Sequence, residues 1–434
     1  MAEKINVLFC SDSLNLYSGF SYVISKLMIA FHQTNNYKIS YCNLLSQDNN
    51  IETACKVHGD IFRDMLCSGN ENRIYNCQLQ SEINIKNFDA VVEKEKPKII
   101  ISLVDSWQTE PIAYSSYRNT FYWVAYNTIE LNFYPELVIF PTYLDQNLRK
   151  SISNLMNLAD LVIPVTQMGK ENFENIKIKC TEPVLCGVDY DKRCITEHTK
   201  QEIFRGFVPE DSFIFMTLGT NTERKKLDLV IDAFSLFLKK AENPEKYFLY
   251  IHTNPNEISG GTDLVSQGIS LGIIKKLLFP SSYANNQIMS QEDLFARISI
   301  MDCYIGLPSG EGYGYGISDA MMHGIPLIYI DYGGHVEYCR YAGLPVRVQA
   351  FYNSKNAYMK WAIADVEHAS EQMLLISQDE QLRKRLGNIG KEMMKNYSWK
   401  IQSKKFIDLV MDNYNKVEVL KNDLHKNFYL KRII

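Results

Sequence analysis

The feature that most constrains this chain is the stretch IGLPSGEGYGYGISDAMMHGIPLIYIDYGG, Ile305 to Gly334. An apolar run ends in a Pro-Ser turn and enters a loop holding Gly312, Gly314 and Gly316. An amphipathic segment follows, then a second β-like run, Pro326 to Ile330, which stops at Asp331 and the pair Gly333-Gly334. Strand, glycine loop, short helix and strand is the anatomy of an α/β crossover. Open parallel sheets bind ligands beside such loops, at the carboxyl ends of their strands. Glu311 and Asp319 lie eight residues apart within the stretch. Each also has an ordinary reading, Glu311 as a helix cap and Asp319 as a solvated side chain; their bracketing of glycines favours a functional pair.

The rest of the chain must supply such a crossover with a sheet. At 434 residues it is long for one core and predicts two or three domains. With 46% hydrophobic and 22% charged residues and a net charge of -4, it has a globular composition. The absence of a Lys/Arg block argues against nucleic-acid binding as the main task, while leaving an acidic small substrate open. MAEKINVLFCSDSL runs directly into a β-like segment, with neither a signal-type apolar core nor a membrane-spanning run of about 20 residues. The ten cysteines are dispersed without a C-x-x-C pair, so neither a zinc knuckle nor a disulfide framework is indicated. A reducing, cytoplasmic location is the expectation.

Read in order, Ile5 to Cys10 predicts a buried first strand, and Gly19 precedes an apolar pattern at helical spacing, Val23, Leu27 and Ala30 or Phe31. A glycine loop opening onto a helix N-terminus can seat a phosphate or a sugar; an ordinary tight turn is the competing reading. Ile39 to Leu44, Lys98 to Val104, Phe121 to Tyr126 and Ala159 to Pro164 read as further strands, Val138 to Pro141 as the start of a crossover, and residues 45 to 96 as irregular with helical stretches. Asp105 follows the Lys98 strand as either a ligand group or a helix cap. This gives a first, mostly parallel α/β domain over residues 1 to 190, with the linker at 191 to 210. A second α/β domain spans 211 to 396, opening with Ser212 to Leu218, and terminal helices occupy 397 to 434, with Lys400 to Val419 the last well-patterned one. Arg224-Lys225-Lys226 directly precedes the amphipathic helix of Leu227, Val230, Ile231, Phe234 and Phe237 or Leu238. Cations at a helix N-terminus oppose its dipole, so they either point to solvent or wait for an anion that the N-terminus also attracts.

Two such domains predict a cleft lined by the carboxyl ends of both sheets. Gly19 and Asp105 come from one side; Lys225, Glu311, Asp319, Gly333 and Gly334 come from the other. One cation, two helix N-termini and two carboxylates suit a sugar nucleotide, the diphosphate meeting Lys225 and N–H groups and the carboxylates accepting from vicinal hydroxyls. The sequence has no G-x-x-x-x-G-K-[ST], no G-x-S-x-G and no G-x-G-x-x-G after the first strand, which disfavours ATPase, hydrolase and nicotinamide chemistry.

Over Ile214 to about Gly343, and more weakly over residues 1 to 190, the chain resembles the retaining GT-B glycosyltransferases of family four. The motif S-x-x-E-G-F-G-x-x-x-x-E-A-M-A-x-G-x-P is resembled by Glu311-Gly312-Tyr313-Gly314, Asp319-Ala320-Met321, Gly324 and Pro326, with Ser309 one residue nearer to Glu311 than the motif has it. The resemblance implies two Rossmann-like doubly wound domains facing each other across a cleft, with Glu311 at the donor sugar and Asp319 at the ribose diol, where the family usually has Glu. The family's G-R-x-x-x-x-K element is half present: Lys225 matches the Lys, Thr220 or Asn221 stands where the Arg would be, and Arg224 is the substitute. Gly333-Gly334 and Glu337 resemble G-G-x-x-E, Gly19-Phe20 the amino-domain glycine loop, and Cys186-Gly187-Val188-Asp189 the N-G-V-D hinge. The last helix often crosses back to the first domain in this family.

Carried over, the resemblance implies transfer of a sugar from a UDP- or GDP-sugar to a glycan, lipid or protein acceptor. Glu311, Lys225 and Asp105 are the catalytic candidates. Gly19, Phe20, Arg224, Lys225, Glu311, Gly312, Tyr313, Gly314, Asp319, Gly333 and Gly334 are the donor-binding candidates. Neither metal nor tightly bound cofactor is implied. A degenerate scaffold with a binding role, or a sugar-nucleotide epimerase, is the alternative; the Asp at 319 and the missing Arg support the former. Ile269 to Leu278 reads first as core helix and strand, with peripheral membrane contact as its other reading; no oligomeric state follows.

Overall fold

The computed structural model of the chain describes residues 4–15, 18–44, 50–68, 71–77, 82–130, 132, 152–193, 195, 197–255, 260–280, 289–353 and 360–430. The crossover expected to start at Val138 lies outside them. The chain divides into two compact units. Met1–Thr128, Ile139–Gly187 and Trp399–Ile434 form the first; Ile129–Val138 and Val188–Ser398 form the second.

The first unit is built on β1 (Ile5–Ser11), β2 (Tyr37–Asn43), β3 (Ile74–Asn76), β4 (Ile99–Ser102), β5 (Tyr122–Asn127) and β6 (Leu161–Pro164). All pairs are parallel, in the order β3-β2-β1-β4-β5-β6. The second repeats the plan with β7 (Phe213–Leu218), β8 (Tyr247–His252), β9 (Leu277–Leu278), β10 (Cys303–Gly306), β11 (Leu327–Ile330) and β12 (Gly343–Val346). Its order is β9-β8-β7-β10-β11-β12, again all parallel. Both are doubly wound sheets, and in each the order reverses beside the first strand. Near-continuous apolar strands such as FIFMTL are what a sheet covered on both faces requires.

Helix α1 (Gly19–Gln33) starts where the Ser18 hydroxyl accepts from the Ser21 N–H at 3.1 Å, and it buries Val23, Ile24, Leu27, Met28 and Phe31. In the second unit α2 (Leu227–Lys240) buries Val230, Ile231, Phe234 and Phe237 into the same core as Ala369, Met373 and Ile376 of α5 (Val366–Gln378). Between these, α3 (Gln291–Ser299) is capped by Ser290, and α4 (Tyr315–Met322) follows the glycine loop. Helix α6 (Glu380–Lys395) packs on α4.

The last helix, α7 (Trp399–Leu430), is longer than its sequence pattern indicates and belongs to the first unit. Its aromatic residues explain the attachment: Phe406 packs on Tyr126 at 4.9 Å between ring centroids, Tyr414 on Tyr122 at 5.7 Å, and Trp399 donates from its ring N–H to the Tyr22 hydroxyl at 3.3 Å. An antiparallel ribbon, β13 (Val348–Asn353) with β14 (Lys360–Ala364), has no counterpart in the sequence reading.

Gly187 sits against Trp399: a methyl there would lie 2.6 Å from the Trp399 ring and 2.7 Å from its Cα. Gly187→Ala is therefore expected to cost about 1–3 kcal/mol, read as a lower melting temperature. Gly19→Ala, whose added methyl would meet nothing within 4 Å, leaves it unchanged.

Candidate functional site

The loops after β7 and β10 flank the point where the strand order of the second unit reverses. The first carries Arg224-Lys225-Lys226, the second Glu311. Lys226 caps α2 in a left-handed conformation, φ 49°, without a side-chain cap. Gly314, φ 90°, does the same for α4. Neither N-cap residue makes a side-chain cap hydrogen bond to its helix.

The three cations neither point to solvent nor wait unoccupied. Lys225 donates from its ammonium to the Glu311 carboxylate, and Arg224 Nη1 lies 3.4 Å from the same oxygen while donating to the Gly310 carbonyl at 2.8 Å. Arg224 Nη2 reaches Glu130 Oε1 at 3.0 Å. Lys226 stands over the Tyr352 ring, 5.3 Å from its centroid. Glu311 is only 9% exposed. Burial alone would raise its carboxyl, but the Lys225 and Arg224 charges outweigh that and hold it well below the usual carboxylate range. It is an anion fixed in place.

The backbone around Glu311 is tied from four directions. Ser309 N–H donates to the Arg224 carbonyl at 2.7 Å, and Gly334 N–H to the Glu311 carbonyl at 2.8 Å. Tyr338 donates its hydroxyl to the Tyr313 carbonyl and lies 3.2 Å from that of Gly314. Ala362 N–H of β14 donates to the Ser309 carbonyl at 2.9 Å. Gly333, φ 117°, allows this closure; a Cβ there would meet the Glu311 carbonyl and His335 Nδ1, each at 3.0 Å. His335 is fully buried, its Nε2 lies 3.2 Å from the Ile330 carbonyl oxygen, and its Nδ1 has no hydrogen-bond partner among the described residues. Burial pushes that imidazole down to about 4, so it is neutral at pH 7.

Asp319 lies farther along α4. Burial, and then the charge of Asp189, push its carboxyl up to about 8. Asp189 belongs to the Cys186-Gly187-Val188-Asp189 stretch and accepts from the Gln291 side-chain amide Nε2 at 3.2 Å. Asn221, one of the two residues at which the missing Arg would fall, is buried and donates to the Thr262 carbonyl at 2.7 Å, a structural task.

In the first unit, Gly19 and Phe20 open α1 after β1, and Asp105 follows β4, so these candidates flank that sheet's own reversal point. Asp105 begins a single 3-10 turn in which its N–H donates to the Gln108 side chain at 2.9 Å. Gly19 is exposed, and no packing around it demands a glycine. Among the described residues no group of three or more His, Cys, Asp or Glu side chains is arranged to hold a metal, and no helix is long and apolar enough to cross a membrane.

Sequence reasoning missed Glu130, His335, Tyr338 and the effect of the Asp189 charge on Asp319. Glu130 carries one signal, an acid shortly after the end of a buried strand; Tyr338 carries none.

No family model and no curated protein matches the chain. Solved structures do. Sucrose-phosphate synthase from Thermosynechococcus elongatus aligns with a TM-score of 0.68 at 14% identity, over 95% of this chain and 100% of that one. Anabaena Alr3699/HepE, solved with UDP and glucose, aligns at 0.69 and 14%, over 94% and 100%. A glycosyltransferase from Rickettsia africae aligns at 0.67 and 13%, over 94% and 98%. The fold is GT-B. Two Rossmann-like α/β domains with the same strand order account for nearly the whole chain.

The raised carboxyl of Asp319 has a consequence for stability. A folded-state value above the unfolded one means that ionisation opposes folding: the cost is absent below about pH 4, grows as pH rises toward 8 and is constant above. Asp319→Asn should therefore stabilise the chain increasingly from pH 5 to pH 8, by at most about 1.4 kcal/mol per pH unit, checked by urea unfolding at both pH values.

Proposed function

We propose that the chain is a retaining glycosyltransferase that takes a sugar from a UDP- or GDP-sugar and passes it to a hydroxyl of a glycan, lipid or protein glycan. The observation that carries this reading is the placement of Lys225, Arg224 and Glu311 at the reversal point of the second sheet, beside two helix N-termini without side-chain caps. That is where a doubly wound sheet receives a nucleotide, and cations with free N–H groups are what a diphosphate needs. HepE, a protein of the same fold, was solved with UDP and glucose bound, which supports the choice of ligand.

In this reading the diphosphate lies against Lys225, Arg224 and the first N–H groups of α2 and α4. These groups meet the charge that develops as the bond between the anomeric carbon and the phosphate oxygen breaks. Glu311, held ionised, accepts from donor-sugar hydroxyls and fixes the anomeric carbon, with Gly312, Tyr313 and Gly314 shaping the loop and Gly333-Gly334 backing it. Asp319 receives the ribose diol. The acceptor oxygen attacks from the side the diphosphate leaves, and its proton goes to the departing phosphate oxygen, so the anomeric configuration is retained. No covalent nucleophile and no metal is required. In the first unit, Gly19 and Phe20 are assigned to the donor and Asp105 to the acceptor hydroxyl.

Turnover of UDP-glucose or GDP-mannose with water as acceptor, followed as release of the nucleoside diphosphate, tests this without knowing the acceptor. Glu311→Gln should lower kcat by roughly 10²–10³ while the Kd for the nucleoside diphosphate moves only a few-fold. Equal turnover in wild type and variant would remove the role of Glu311. A product of inverted configuration would remove the retaining mechanism.

A further inference from the structure

We propose that Glu130 is a built-in counter-ion of the anion site: it holds the Arg224 guanidinium while no phosphate is bound, and a diphosphate must displace it. This rests on the reading of Arg224 and Lys225 as the diphosphate seat.

Among the described residues, two cations and two carboxylates meet at the reversal point. Lys225 is paired with Glu311. Arg224 bridges the two acids, its Nη2 at 3.0 Å from Glu130 and its Nη1 at 3.4 Å from Glu311. Glu311 already has Lys225 as its nearer cation, so its charge does not depend on Arg224 alone. Glu130 instead brings a second negative charge near the first. Burial, opposed by Arg224 and helped by the charge of Glu311, raises its carboxyl. A like-charged neighbour in a crowded site is costly unless the guanidinium between them gains from it.

The way Glu130 is delivered separates its side chain from its backbone. Asn132 N–H donates to the Tyr332 hydroxyl at 3.1 Å, that hydroxyl donates to the Lys360 carbonyl at 2.6 Å, and Lys360 N–H returns to the Asn132 carbonyl at 3.1 Å. The segment is thus fastened to β14 and to the loop after β11 through groups that do not involve Glu130. Its side chain, still 37% exposed, can leave Arg224 without undoing these bonds. A diphosphate offers the guanidinium two oxygens and more charge than a single carboxylate, so it wins the exchange. The apparent affinity is lowered by the fraction of molecules in which Glu130 holds the arginine. Glu130 is accordingly a positioning residue that sets how readily the site accepts phosphate.

The test is calorimetric titration of the full chain with inorganic pyrophosphate and, separately, with UDP and GDP. The proteins are wild type, Glu130→Gln, Glu130→Asp, Arg224→Ala and the double variant of Glu130→Gln with Arg224→Ala. Glu130→Gln should bind pyrophosphate and the preferred nucleotide roughly tenfold more tightly, the scale of one charge-assisted pair. Glu130→Asp, which keeps the charge on a shorter arm, should fall between it and wild type, and carries the comparison if Glu130→Gln does not fold. In the Arg224→Ala background the Gln change should do nothing, an outcome that a merely structural role would not produce. Unchanged or weaker binding in Glu130→Gln, with UDP or GDP still bound by wild type, overturns the counter-ion and leaves the nucleotide reading standing. Tighter pyrophosphate with no nucleotide bound by any variant supports the counter-ion and overturns the nucleotide reading. No anion bound by any variant overturns both.

Discussion

A carboxylate buried to the extent of Glu311 stays ionised only if cations surround it, and most of the second unit's chemistry depends on that pairing. Lys225 and Arg224 arrive from the loop after β7, Glu311 from the loop after β10, and the two strands are neighbours only because the order reverses there. The glycines then make sense as consequences. Gly314 and Gly333 adopt left-handed backbone so that the loop can turn tightly around the carboxylate, and Tyr338 and Gly334 hold it there. The loop and its carboxylate are thus held by the chain's own hydrogen bonds and ion pairs.

The same logic explains the unfavourable run Arg224-Lys225-Lys226 at the start of α2. Three cations there oppose the helix dipole. In the folded chain two of them are neutralised by Glu311 and Glu130, and the third lies over Tyr352. The dipole is opposed at a short distance only in appearance, since each charge carries its own partner. Lys226 still adopts a strained left-handed backbone, and such strain persists where surrounding structure demands it.

What could be read in the sequence follows from how local each signal is. Strands such as Ile5–Ser11, Tyr122–Asn127 and Phe213–Leu218 were legible because each is a continuous apolar run, whereas the short edge strand Ile74–Asn76 falls in a stretch that reads as irregular. The Glu311 loop was legible because glycines, acid and flanking strand are contiguous. Glu130 was not: its partner Arg224 comes from a different crossover, and a lone acid after a strand has many ordinary readings. The β13–β14 ribbon was hidden because half-exposed strands such as VQAFYN lack the continuous apolar run of the sheet strands. The part of α7 after Val419 was hidden because its sequence, with KNDLHKN at 421–427, is dense in charged and polar residues. The change to Asp at 319 was visible, but not its electrostatic setting, which depends on Asp189 from far upstream.

The central claim is that the reversal point of the second sheet binds a nucleoside diphosphate through Lys225 and Arg224. Calorimetric titration of the full chain with UDP and GDP at low and raised salt tests it most directly. The account predicts one saturable site for at least one of them, with affinity that falls as salt rises and falls again in Lys225→Met. Binding of neither nucleotide at any salt concentration, or binding indifferent to Lys225, would contradict it.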